Sequence, residues 1–448
     1  MKSVFVLCMI VAFFSYALKS SAWGMLTYWW FSIFRPQDWI YIDITSIRLP
    51  LLATAIFFLP AIFRGDKPFV KDSLVVMMLL LYFFMIIAAL TVGCSSTYKT
   101  IEPISYMGLL IFAIMLSVGV IKNQKTLLYW IVVVTLSVGF FAGKAGVVAM
   151  LAGGQVNYGA TNLKGLFSGS NAFAMGTASM LFLMVFLFLQ AFNRKTLAFF
   201  PGVISKYKLL LKIALFVIVV GSAFNIVSLY SRGSALAAGG GFLVFYLLSS
   251  NKIRIGLYLI PFLVVGAVLI PVPEGYGDRL GSSFEQSDDL DSSAASRPHF
   301  WKTAVLMVNT YPLGVGPGCY REFYNEFDDS AGMYGLYRDV HSSHFQMWAE
   351  NGYIGLLLWL GLFLLTYKRL FKLRSVIKLN VNHIDNPLFY KQLVDALIAS
   401  QTVFIVGGGF YSLAYTDLIW FFWGVTVSIT KLVDGELGGG RGLQEAVN

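Results

Sequence analysis

Long apolar runs separated by short polar clusters set the character of this chain. Runs at 45–63, 73–92, 101–120, 126–150, 170–192, 209–229, 231–249, 253–271, 351–368, 390–410 and 413–432 each approach the roughly 20 residues that carry a helix across about 30 Å of hydrocarbon. Residues 3–34 add one long broken crossing or two short ones. Backbone amides inside a bilayer must find their partners within the segment, so the runs are predicted as helices. The expectation is an all-α polytopic membrane protein with about 12–13 transmembrane helices.

Basic residues give the bundle a direction. Arg64/Lys67/Lys71, Lys122/Lys125, Arg194/Lys195/Lys206/Lys208, Lys252/Arg254 and Lys368/Arg369/Lys372/Arg374/Lys378 fall in alternate loops, which the positive-inside rule places in the cytoplasm. The remaining loops, at 35–44, 93–100, 151–169, 229–233, 272–350 and 411–413, then face outward. Four parts follow: spans over 1–271, one large outer loop over 272–350 containing short helices, spans over 351–432, and a cytoplasmic tail over 433–448.

Composition agrees with this picture and removes some alternatives. Of the 448 residues, 57% are hydrophobic and 12% charged, and the mean hydropathy is +0.72, far from an ordinary soluble domain. The net charge of +10 is largely the inside bias, so it implies no nucleic-acid partner. Met1 to Ala22 has the outline of a signal peptide, but an uncleaved first span is the expected reading. Cys8 lies in that span. Cys94 and Cys319 both map to the outer face, where a bridge is permitted; two unpaired small residues are the expectation.

The outer loop changes character along its length. Pro271 to Gly277 breaks the preceding span, and Asp278 to Ser296 is acidic and Ser-rich. Arg297 to Asn309 reads as a helix with Trp301, Val305 and Val308 on one face, stopped by Tyr311-Pro312. Leu313 to Gly318 must be a tight, backbone-exposed turn. His341 to Glu350 reads as a second short helix lying against the membrane.

Several residues in this frame could carry chemistry. Arg232 joins two spans with almost no loop, which holds it at the outer boundary as a snorkelling side chain or as a fixed fork for a phosphate. Arg297 opens a helix, an unfavourable place for a cation unless an anion is bound or the acidic run Glu285 to Asp291 pairs with it. His341 and His344 would share a helical face, but with Glu350 so far along and no further ligand nearby, a zinc site is not expected. Asp38 and Asp43 could bind a divalent ion or belong to an ordinary boundary loop. Gly239 to Gly241 and Gly407 to Gly409 fit close helix packing or a groove for a lipid tail.

Taken together, Arg232 at a short outer junction, Ser296-Arg297, Trp301, Asn309-Thr-Tyr-Pro-Leu-Gly-Val-Gly-Pro-Gly318, His341 and Glu350-Asn-Gly352 through Gly355 resemble the O-antigen ligase superfamily, which includes O-antigen ligases, protein O-oligosaccharyltransferases and Wzy-type polymerases. Asp291 to Gly355 resembles most the O-glycosylation ligases associated with exosortase-type systems. The motifs cover 230–360; elsewhere only hydropathy agrees.

The resemblance implies a GT-C-type helical bundle in the bacterial inner membrane and a metal-independent, cofactor-free, inverting glycosyltransferase facing the periplasm. Its donor would be a glycan on undecaprenyl diphosphate, and its acceptor a hydroxyl of lipid A-core, protein or another glycan. His341 matches the family's proposed general base, and Arg232 and Arg297 its pyrophosphate-binding arginines; His344, Trp301 and Glu350 are expected to support them. Ser342 stands where many relatives have Asn, and Asp328 to Arg338 departs from the pattern. The residue types suit the reaction, because guanidinium groups stabilise a departing diphosphate and a neutral imidazole accepts a hydroxyl proton near pH 7. A ligase is the first reading and a Wzy-type polymerase the alternative. A transporter or channel fits poorly, since the candidates cluster on one outer face and not at the midplane.

Overall fold

A computed structural model describes residues 2–39, 49–94, 97–154, 169–202, 206–249, 252 and 296–438. The described elements are helical throughout. In chain order they are α1 (Lys2–Ala17), α2 (Ser21–Ile33), a 3-10 turn at Pro36–Trp39, α3 (Leu49–Phe63), α4 (Ser73–Thr91), α5 (Thr97–Val120), α6 (Gln124–Leu151), α7 (Ser170–Gln190) and the short α8 (Arg194–Leu197). There follow α9 (Lys208–Ser228), α10 (Arg232–Leu248), α11 (Arg297–Thr310), α12 (Tyr320–Phe327), α13 (Ser343–Leu379), α14 (Pro387–Gly408) and α15 (Asp417–Glu436).

The chain is a polytopic membrane protein. Seven described helices are long and apolar enough to cross a bilayer, while α3, α10 and most of α1 are apolar but shorter. Residues 3–34 form two short helices broken at Ser20, whose hydroxyl caps α2 by accepting from the Trp23 N–H. The expected span at 253–271 lies outside the described residues.

Close packing replaces the solvent-driven burial that a soluble bundle would use, because lipid is as apolar as the helix faces themselves. Small residues at the seams allow it. A side chain on Gly241 would run into Val403, Phe182 and the Ala399 carbonyl, so this glycine seats α10 against α14 and α7, whereas a side chain on Gly239 would meet nothing within 4 Å. One large core cluster, rich in Trp and Phe, joins α2, α4–α7 and α13–α15.

Above it sits a second, smaller cluster built from α11, α12 and the start of α13, including Phe300, Ala304, Met307, Tyr320, Tyr324 and Ala349. It turns α11 differently from the expected face, burying Phe300, Thr303, Ala304, Met307 and Val308 while Trp301 stacks on Phe345. The helix stops at Tyr311, as the Tyr-Pro pair predicts.

Three features differ from the sequence expectation. Cys94 and Cys319 are bridged, because packing of the Gly316 turn against Gly93 brings the two segments together across 225 residues of sequence. An extra helix, α12, follows that bridge. The short helix expected over His341 to Glu350 begins instead at Ser343 and continues through a kink into the span.

That kink is made by Gly352, with φ 67°, a backbone region that glycine enters without steric cost. The carbonyls freed by the break are taken up by the glycine turn: Val315 N donates to Ala349 O at 3.0 Å and Gly316 N to Glu350 O at 2.9 Å, while Tyr353 N donates to Pro312 O at 3.1 Å. The turn is therefore wedged into the helix break rather than displayed to solvent.

Candidate active site

The candidate residues gather at the starts of α10 and α11, the approach to α13, and the connection from α14 to α15. Arg232 is the first residue of α10. The chain reverses just before it through Tyr230, at φ 54°, and the neighbouring Ser231 hydroxyl lies 2.6 Å from the Tyr411 hydroxyl and donates to Ser234 at 2.7 Å. This hydroxyl cluster fixes the start of α10 to the 409–416 connection.

Arg297 is the first residue of α11, followed by Pro298, a residue suited to a helix start. Its guanidinium lies over the Phe410 ring at 5.6 Å, and its Nε is buried without a hydrogen-bond partner. Burial disfavours its charge; Tyr411 acts in the opposite direction and Arg232 adds to the penalty. Two guanidinium groups close enough to repel one another, one with an unused donor, are suited to an anion bearing several oxygens. The acidic run Glu285 to Asp291 lies outside the described residues.

His341 does not lie on a helix. It occupies the left-handed region at φ 49°, which His adopts more readily than most residues, and the next residue caps α13. Ser342 Oγ accepts from Phe345 N and donates to Gly408 O, while Ser343 Oγ donates to Tyr411 O at 2.6 Å and accepts from Leu413 N at 2.9 Å. The half-buried imidazole faces Phe300 at 5.7 Å. Burial lowers its pKa below the ordinary 6.5; Asp339 opposes the shift, and Arg297 and Arg338 reinforce it. The shift favours the neutral imidazole.

The other supporting candidates separate. His341 and His344 share no helical face. The His344 ring points into the bundle, where Nδ1 accepts from Trp359 Nε1 at 3.1 Å and Nε2 lies 2.9 Å from Ile405 O; both nitrogens are engaged and the ring is a neutral tautomer with its proton on Nε2. Glu350 is buried and accepts from Tyr320 N at 3.2 Å, which places it at the glycine wedge. Trp301 forms the wall between α11 and α13 through its stack on Phe345, with ring centroids 5.4 Å apart.

Sequence reasoning missed Arg338, whose guanidinium lies over Phe300, and the Ser231, Ser234 and Tyr411 hydroxyls. Arg338 carried a faint signal, a cation three residues before His341. Tyr411 carried none, since it enters from a turn distant in sequence.

Asp38 pairs with Arg35 at 2.7 Å, and Asp43 lies outside the described residues. A different acidic group, His299, Asp328 and Asp329, places its ligand atoms within 4.8 Å of one another. Its charges already have partners: His299 Nε2 lies 2.8 Å from Asp328 and Lys302 pairs with Asp329. Burial alone would raise the Asp328 pKa, but hydrogen bonds from Ser330, Gly332 and His299 hold it down at about 2. This group shapes the 328–338 loop.

Comparison with known families bears on the same segment. Residues 216–360 match the family model described as O-antigen ligase. Over that stretch, about a third of its length, the chain is similar to O-antigen ligases. The matched stretch contains Arg232, Arg297, His341 and the glycine wedge, and the family's activity is glycosyl transfer. Residues 1–194 match a family of unknown function. No curated protein matches the chain.

Proposed function

We propose that this chain transfers a glycan from an undecaprenyl diphosphate carrier to an acceptor hydroxyl on the outer face of the bacterial inner membrane. The observation that carries the reading is the buried, unpartnered Nε of Arg297 beside Arg232 and a His341 shifted toward its neutral form. The Cys94–Cys319 bridge supports an oxidising compartment on the side of the site.

In this reading the acceptor oxygen attacks the anomeric carbon from the face opposite the diphosphate, and the configuration inverts. His341 takes the hydroxyl proton as the new C–O bond forms. The bond to the diphosphate oxygen breaks with its electron pair, and Arg297 and Arg232 hold the charge that develops. Fixed guanidinium groups in a site shielded from water do this without reorganising, so the arginines serve where other transferases place a divalent ion. Lipid A-core, a protein side chain or a second glycan would each offer a suitable hydroxyl.

The test is transfer by purified protein from a lipid-linked donor. His341→Ala is expected to lose about 10²- to 10⁴-fold in turnover, the usual cost of a missing general base, with donor binding nearly intact. Because position 341 is left-handed, His341→Asn is the better-folded control. Turnover above about a tenth of wild type in both variants would remove His341 from the chemistry.

A further inference from the structure

A cavity opens beside the proposed transfer site, on the far wall of the 409–416 connection. Its volume is about 390 Å³, within the usual range of small-molecule sites. The lining includes Ser32 and Arg35 from the end of α2, Tyr106 from α5, and Ser412, Tyr415 and Asp417 from the approach to α15. These come from the outer ends of their helices, the same side as His341.

The lining has a definite chemistry. The buried Asp417 carboxylate accepts from the Tyr106 hydroxyl and from Ser32 Oγ. Arg35 stands in the left-handed region at φ 50°, steadied by Asp38. The Ser412 hydroxyl is buried without a protein partner, whereas Tyr106 keeps part of its ring exposed. A buried carboxylate, and a guanidinium already paired with Asp38, set among hydroxyls and aromatic surface, do not select a phosphate. They match a neutral ring carrying several hydroxyls, each of which donates and accepts.

We infer that this cavity is a saccharide subsite, holding a sugar ring of the acceptor while its reactive hydroxyl is presented on the other side of the connection. The inference rests on the glycosyl-transfer reading for the word acceptor, and on the cavity alone for the sugar. One short segment serves both places: Phe410 underlies Arg297 and Tyr411 binds Ser231, while Ser412 and Tyr415 face the cavity. An occupied subsite would therefore set the position of the residues that frame the transfer site.

Saturation-transfer NMR on the full chain in detergent, with methyl glycosides of glucose, galactose and N-acetylglucosamine as probes, tests this. At least one glycoside should receive saturation from wild-type protein. The effect should vanish in Ser412→Trp, which fills the cavity, fall severalfold in Arg35→Ala, and persist in His341→Ala. Silence from all three probes, a signal that survives both cavity variants, or one lost in His341→Ala would overturn the subsite. Failure of the transfer reading would show separately, as wild-type protein that binds a glycoside here yet moves no glycan from the lipid-linked donor.

Discussion

His341 illustrates how a candidate read from sequence can sit in a different backbone setting from the one its spacing implies. The spacing to His344 reads as one helical face, yet a single left-handed residue before the Ser342 cap sends the two rings into different environments. Burial, Arg297 and Arg338 depress the His341 pKa against the pull of Asp339, and the sign of the pH dependence follows. The base form is present above this lowered pKa, so activity should be retained at neutral pH and lost as pH falls through a value below 6.5. Asp339→Asn removes a raising charge and should move the acidic limb of kcat/KM to lower pH; Arg338→Gln removes a lowering charge and should move it up. Opposite or absent shifts in the measured profiles would mean that another group controls the limb. Arg297→Lys keeps charge but loses the planar fork. It should cost tenfold or more in transfer, about 1.4 kcal/mol, at unchanged protein level.

At the scale of elements, hydropathy and punctuation made much of the fold legible. The spans described at 73–91, 170–190 and 208–228 follow apolar runs closely, and α11 ends where Tyr311-Pro312 dictates. The eight residues of α12 offered too short a pattern, since aromatic and charged residues are interleaved and only Tyr320 and Tyr324 are buried. The fate of the glycine turn was invisible for a different reason: its partners are carbonyls released by a kink far along the chain. The fit is tight enough to be tested. A side chain at Gly314 would come within 2.4 Å of the Glu350 carbonyl, and that position has φ 91°. Gly314→Ala should therefore destabilise the wedge by on the order of 1–3 kcal/mol, lowering the melting temperature in detergent and transfer together. An unchanged melting temperature would show that the wedge is not what holds the outer turns of α13.

For the whole molecule, the bridge from Cys94 to Cys319 ties the region matched to a family of unknown function to the region matched to the O-antigen ligase model. Nothing local announces the pairing; it becomes evident only when the glycine turn and the end of α4 are seen to touch. Cross-links over long loops typically contribute about 2–4 kcal/mol. Cys94→Ser should accordingly melt at lower temperature than wild type, and a reducing agent should bring wild type down to the variant while leaving the variant unmoved. A variant that melts with wild type would remove the bridge from the stability of the fold.

The wedge at Gly352 has a mechanical side as well. Because the glycine turn is bonded to Ala349 and Glu350 before the kink and to Tyr353 after it, the first turns of α13 are tied to the rest of the same helix. Spans answer a mismatch in hydrocarbon thickness by tilting, and α13 extends for 37 residues. A tilt of this lever would be delivered at its outer end, where Ser342 and Ser343 hold the 408–413 backbone beside His341. If His341 stands at the reaction centre as proposed, acyl-chain length in reconstituted vesicles should change turnover without touching the substrate, and turnover that is the same at every chain length would uncouple the helix from the site.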